Sequence, residues 1–260
     1  MIPIRFGDGS AELFGALHEP DAPASHGVLI CNPFGQESIR AQRALRIVAD
    51  RIARTGCSAL RFDWYGTGDS DGDDEEVSID RWIEDLQRAD HELRVLSGCV
   101  STTWVGLRLG ATMTALASSS IRTPPVGLVW WDAVVDGAAY LRSLDLAHRS
   151  GLELAFPIPP PGPPLRMHIP DGREAMGFAV PAAFSDAIAR IGPAAFEQAR
   201  CERATWLVTD TSRPPAAAPS GASVSVQHVP AIDWTTDEAM NTSIVPAAVV
   251  DAIAREACSR

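Results

Sequence analysis

Gly106, Arg108 and Gly110 sit at the spacing of glycine-x-nucleophile-x-glycine. The apolar run Thr102 to Val105 precedes them, and an alanine- and threonine-rich segment follows. A strand, a tight turn flanked by two glycines and a helix form the frame of a nucleophile elbow. The central position, however, holds an arginine. Its guanidinium stays protonated at any ordinary pH and cannot attack a carbonyl. An elbow would also aim that charge from the positive end of a helix, beside unpaired N–H groups. An anion must therefore answer it: a carboxylate of this chain (Asp233, Asp210 or Asp132) or that of a ligand, which an arginine fork can grip at two points.

Other chemistry is sparser. All 22 basic residues are arginine, so a Schiff-base lysine, a Walker lysine and a serine–lysine dyad are excluded. The five cysteines, at 31, 57, 99, 201 and 258, are scattered and form no CxxC pair; neither structural zinc nor a disulfide framework is expected. Cys31 and Cys99 read as small core residues. The six histidines show no metal-ligand spacing, although His168 could reach a site from above. The run Asp73-Asp74-Glu75-Glu76 is either a metal site or a solvated loop whose charges favour the start of the next helix. Asp63, Gly66 and Gly68 have the composition of a turn. Trp64, Trp131 and Trp234 fall at strand ends, placed to stack on a ligand or to wall a covering segment. No metal and no cofactor are expected.

The elements that would position these residues alternate. Residues 2–6 and 11–18 read as a hairpin across "GDGS". Strands are expected at 28–31, 58–62, 102–106 and 126–131, with helices at 39–54, 77–96 and 109–119 on the spacing of their apolar residues. Alternating strands and helices imply a mostly parallel sheet covered on both faces. The pattern breaks after residue 137. Residues 156–172 are too rich in proline for a helix or central strand; Arg166–Ile169 and Ala175–Val180 are expected to pair across "PDG", and 182–200 to be helical. The expected organisation is a core of 1–137 and 201–260 carrying a lid at 138–200. Strands at 206–210 and 223–229 and a helix at 245–258, opened by Pro246, complete it.

The chain has 260 residues, 46% hydrophobic, with a net charge of −11. It is long enough to bury a core without disulfides, and its charge argues against nucleic-acid or anionic-membrane partners. No apolar run reaches the ~20 residues that span a bilayer, and "MIPIRFGDGS" has no signal-peptide pattern. A cytoplasmic protein is expected.

In this order of elements the chain resembles the α/β-hydrolase superfamily. "RFDWYGTGDS" looks like the family's Asp-x-x-Gly-x-Gly-x-Ser stretch after the fourth strand, and "NPFGQE" sits where its oxyanion loop follows the third. "GLRLGA", "WWDAVVDGAAYL", "GFAV" and "IDWTTDE" resemble, more narrowly, the group called exosortase-system-associated hydrolase 2, whose members commonly carry Gly-Leu-Arg-Leu-Gly-Ala at the elbow. The superfamily implies a serine at the elbow, an acid after the sixth or seventh strand and a histidine after the last. Here the serine position matches Arg108 and the acid position Asp210. The histidine position falls near Asp233, with no histidine at or beyond it; His228 lies inside the expected last strand. Without the serine and its base, acyl transfer by that relay is not available.

The resemblance thus implies an α/β-hydrolase fold without serine-hydrolase chemistry, set in a biosynthetic pathway for a polysaccharide or secreted product. Arg108 and Asp233 either form an internal ion pair, or Arg108 clamps an anionic or acyl small molecule. Phe34, Gly35, Arg108, Leu109, Trp131 and Trp234 are the expected ligand-lining residues. Two other classes remain: a lyase, cyclase or acyltransferase using Arg108 and aspartates, or a scaffold for an intact related hydrolase. The latter would imply a homo-oligomer or a heteromer.

Overall fold

Alternation along single strands sorts the core onto two faces. In strand β3 (His26–Cys31), Val28 and Ile30 point to one side of the sheet and Leu29 and Cys31 to the other, all fully buried. The period of two does the same at β6 (Gly127–Trp131), where Trp130 and Trp131 enter opposite cores. The computed structural model describes residues 1–7, 9, 11–155, 172–209, 218–231, 234 and 247–259.

The remaining strands of the main sheet are β1 (Ile2–Phe6), β2 (Leu13–His18), β4 (Ser58–Phe62), β5 (Ser101–Leu107), β9 (Arg203–Val208) and β10 (Ser223–His228). Their order is β1-β2-β4-β3-β5-β6-β9-β10. β2 runs antiparallel to both β1 and β4, and every other pair is parallel. Helices α1 (Gln36–Arg54) and α7 (Ala247–Cys258) cover one face, α1 burying Leu45, Val48 and Ile52 and α7 burying Val249 and Ile253. Helices α2 (Ile79–Ser97) and α3 (Leu109–Ser120) cover the other, with Trp82, Leu86 and Leu93 on the inner stripe of α2. Ser78 caps α2 by accepting from Arg81 N at 3.2 Å, and Gly98 ends it in the left-handed conformation.

Helix α1 begins three residues before its expected start. Gly35 turns at φ 61°, and Gln36 and Glu37 join the first turn. Glu37 thereby becomes a buried residue just beyond the C-terminal end of the central strand β3.

Among the described residues, the segment between β6 and β9 adds nothing to the main sheet. It carries α4 (Gly137–Ala155), a hairpin of β7 (Gly172–Ala175) and β8 (Phe178–Pro181), α5 (Ala182–Ala189) and a one-turn α6 (Ala194–Glu197). The hairpin departs from the expected one. It turns at Met176-Gly177, both at positive φ (54° and 90°), as the twist of a two-residue hairpin demands. Arg166–Ile169, expected as its first strand, lies outside the described residues, as does His168. The single helix expected at 182–200 is interrupted at Gly192-Pro193, because proline lacks the N–H and disfavours helical geometry in the residue before it. Gly137 sits where a Cβ would meet Ile188 O at 1.7 Å, so α4 and α5 touch backbone to backbone.

The acidic run ties this segment down. Asp74 Oδ2 accepts from Ala179 N of β8 at 2.8 Å, and Glu76 Oε2 accepts from Tyr65 Oη at 3.2 Å. Asp73 and Glu76 form a capping box around a 3-10 turn at Asp74–Glu76. No helix among the described residues is long and apolar enough to cross a membrane.

Candidate functional site

β5 delivers the chain to Arg108 at φ 55°, ψ −122°, and α3 starts at the next residue. Such a backbone costs a non-glycine residue about 1–3 kcal/mol and is held by its surroundings. Arg108 N donates to Trp131 O at 2.9 Å, and Arg108 O accepts from Ala111 N at 3.1 Å. The flanking glycines are required by contact. A Cβ on Gly106 would lie 2.3 Å from Ala111 Cα, and one on Gly110 would lie 2.4 Å from Asn32 O. The elbow thus presses against the end of β3, where the loop leading to Glu37 begins.

Glu37 answers the guanidinium. Arg108 Nε donates to Glu37 Oε1 at 2.9 Å, and Tyr140 Oη of α4 donates to Glu37 Oε2 at 3.0 Å. Arg108 Nη1 donates to Asp132 O at 3.2 Å, and the guanidinium carbon lies 5.5 Å from the Tyr140 ring centre. The Glu37 side chain is 4% exposed and that of Arg108 25%. Burial alone would ease deprotonation of Arg108, but the opposing pull of Glu37, helped by Tyr140 and Asp132, holds its pKa above the ordinary value. Burial, reinforced by the Glu37 charge, pushes the Tyr140 phenol well above its usual range. Both therefore keep their protons, and both donate to one carboxylate.

The other expected residues divide by location. Asp210 and Asp233, the expected acid and pairing partners, lie outside the described residues. Asp132 takes part through its backbone carbonyl; its carboxylate accepts from Thr209 N and Oγ1, both at 2.9 Å. Phe34 is buried against Trp82, Phe178 and Phe184, and Leu109 is fully buried. Gly35 lies under Phe178, whose ring would be 3.5 Å from an added Cβ. Phe34, Gly35 and Trp234, with Leu144 and Met176, wall a cavity of about 10 Å³ beside Glu37, room for about one water.

Two tryptophans depart from the expected wall. Trp131 is fully buried on the α1/α7 face, edge-on to Trp234 with ring centres 5.3 Å apart, because alternation along β6 turns it away from Trp130. Trp64 stacks on Trp82 in the opposite core, 5.0 Å apart and 16° from parallel. Cys31 is buried, and desolvation raises its thiol pKa well above the usual value. Among the described residues, no group of three or more His, Cys, Asp or Glu side chains could hold a metal ion.

Glu37 and Tyr140 were not singled out in sequence. Glu37 reads as an ordinary acid in the first turn of a helix, and Tyr140 as part of an apolar stretch. The only hint is an acid two residues after the glycine of a loop beside the elbow.

Neither a protein-family model nor a curated protein matches the sequence. Solved structures do match over nearly the whole chain. Est1E from Butyrivibrio proteoclasticus, with ferulic acid bound, aligns at TM-score 0.67 and 15% identity, covering 97% of this chain and 96% of its own. A hydrolase from Pseudomonas aeruginosa aligns at 0.61 and 16%, covering 99% and 98%. Mouse alpha/beta hydrolase domain-containing protein 10 aligns at 0.55 and 13%, covering 97% of each chain. With this strand order, the flanking helices and the turn at Arg108, the chain has the α/β-hydrolase fold.

Proposed function

We propose that this is a non-hydrolytic protein built on the α/β-hydrolase fold, a small-molecule-binding or partner protein in a biosynthetic pathway. In this reading Arg108 stands at the nucleophile position, and residues 138–200 form a lid over it. One observation carries the reading: the guanidinium at the elbow is held by the buried carboxylate of Glu37, which Tyr140 holds in turn. A charge pair closed in this way offers neither a nucleophile nor a base. The sequence supplies no histidine beyond His228, and His228 is exposed at the end of edge strand β10.

The pair also refines the ligand class. Glu37 cancels most of the charge of Arg108, so a fully anionic ligand would meet a carboxylate as well as a guanidinium. Among the described residues Arg108 Nη2 has no partner, and the side chain is a quarter exposed. The N–H groups left open, beside a carboxylate that already cancels most of the charge, suit a neutral carbonyl, as in an acyl group, better than a second carboxylate.

Incubation with a fluorophosphonate probe and an activated ester tests the reading. No labelling and no burst are expected. Stoichiometric labelling of any serine would overturn it.

A further inference from the structure

The end of the sheet away from the elbow brings two cysteines together. Helix α1 ends at Arg54, and Gly56, at φ 94°, turns the chain so that Cys57 N donates back to Ile52 O at 3.4 Å and β4 starts at Ser58. Ser58 pairs with Gly27 at one end of β3, whereas Cys31, at the other end, pairs with Gly106 beside the elbow. Helix α7 finishes at the same turn with Cys258. Its end is pinned to β3, Ala257 O accepting from His26 Nε2 at 3.0 Å. Cys258 Sγ lies 3.1 Å from Thr55 Oγ1, whose proton is shared between that sulfur and Ile52 O, and the Cys57 thiol also donates to it. Cys57 is 6% exposed and belongs to the α1/α7 core; Cys258 packs against that core and is partly exposed. Thr55 and Gly56 are exposed. A reagent arriving from solvent therefore meets Cys258 first, with the Cys57 sulfur behind it.

We propose that Cys258 and Cys57 form a thiol-modification site, in which Cys258 attacks a low-molecular-weight disulfide and Cys57 resolves the adduct into an intramolecular bridge. The Cys258 thiolate attacks one sulfur of the reagent, whose S–S bond breaks; a mixed disulfide forms, and the departing thiolate takes up the proton that Cys258 gave up. Cys57 then loses its proton and attacks the Cys258 sulfur, expelling the second half of the reagent as a thiol. Two protein thiols thus give up two protons and two electrons, and the reagent disulfide is reduced to two thiols. Exposure and charge select the pair. Cys31, Cys57 and Cys99 are buried, and Cys201 is the other partly exposed cysteine. Burial lifts the Cys201 thiol to about 11. At Cys258 the bond from Cys57, helped by Thr55, outweighs burial and holds the thiol below its usual value. The bridge would staple the end of α7 to the turn after α1, closing a loop of about 200 residues, and long loops constrain the unfolded chain most.

The site is separate from the elbow, and its test is independent of the reading given for Arg108. The folded full chain would be treated with oxidised glutathione, alkylated, and digested with trypsin without reduction. Because the chain has no lysine, Cys57 falls in peptide 55–61, Cys201 in 201–203 and Cys258 in 256–260. Peptides 55–61 and 256–260 are expected to appear joined, and to separate again after dithiothreitol. The first adduct should form at 256–260 about tenfold faster than at 201–203, since a roughly hundredfold gap in thiolate is halved on a logarithmic scale by the weaker nucleophilicity of the more acidic thiol. Cys57→Ser should stop the reaction at the mixed disulfide on Cys258. The bridged protein should keep its circular dichroism and unfold at higher urea than the reduced one. The wild-type peptide map decides the matter even if that variant does not fold. Both peptides left unjoined, a bridge through another cysteine, faster reaction at Cys201, or a bridge that forms only with loss of the native spectrum would each overturn the proposal.

Discussion

Replacing Arg108 by methionine removes the charge and keeps most of the side-chain volume. Glu37, 4% exposed in its side chain, would then retain Tyr140 Oη as its donor and lose the cation. Breaking a buried ion pair by deleting one partner typically costs about 3–5 kcal/mol, because the remaining charge is stranded. Arg108 is a quarter exposed, so water can reach part of the vacated space, and about 2–4 kcal/mol is the reasonable expectation for Arg108→Met. Glu37→Gln should cost less, about 1–2 kcal/mol, since the amide oxygen still accepts from Nε and the exposed side of the guanidinium stays hydrated. The double variant strands no charge. Its cost should fall short of the sum of the singles by about 1–3 kcal/mol. Urea unfolding followed by fluorescence of the seven tryptophans measures all three, with an unchanged slope showing that only stability moved. Strict additivity, or a cost for Arg108→Met below about 0.5 kcal/mol, would refute an internal pair and return Arg108 to the role of a free ligand clamp.

Further outcomes follow from the same contacts. Arg108→Ser should bring no esterase activity in an activated-ester assay, since a serine without a neighbouring base is a weak nucleophile. Burial lifts the Asp85 carboxyl to about 6, against the hydrogen bond from Tyr65 N and the pull of Arg81. The folded state then binds the proton more tightly than the unfolded one, so the contribution of Asp85 is fully present below about pH 4 and is lost as pH rises through about 6. Carboxyl NMR should show that midpoint, and Asp85→Asn should flatten the stability profile across the window by about 2–3 kcal/mol. The Tyr140 phenol titrates with the same sign: stability should fall as pH climbs above about 10, and Tyr140→Phe should remove that component of the alkaline transition. Gly110→Ala should cost about 3 kcal/mol or prevent folding, as the methyl would meet Asn32 O. Asp74→Ala should speed hydrogen exchange at the Ala179 amide relative to the main sheet, releasing the hairpin.

Sequence alone carried the order of strands and helices, because periods of two and 3.6 are local properties and one face of each element must be buried. β4 emerged at its expected residues, and β5, β6 and α3 within a residue or two of theirs, each bounded by a glycine turn or a clear change of period. The elbow was legible for a similar reason: the close approach of two backbones requires glycine at positions 106 and 110, whatever stands between them. The hairpin at Met176-Gly177 was not, since a methionine at positive φ carries no signal in a sequence. Nor could sequence decide which carboxylate answers Arg108. The need for one followed from the fixed charge of arginine, but the carboxylates that the expected topology offered were Asp233, Asp210 and Asp132, and Glu37 was not among them. Glu37 is 71 residues from Arg108 and Tyr140 is 103 residues from Glu37. Only the packing of α1, α3 and α4 around the end of β3, set by Gly35, Gly110 and Gly137, brings the three within hydrogen-bonding distance. A charge announces that it needs a partner, and the partner is chosen by which backbones can come close enough to deliver it.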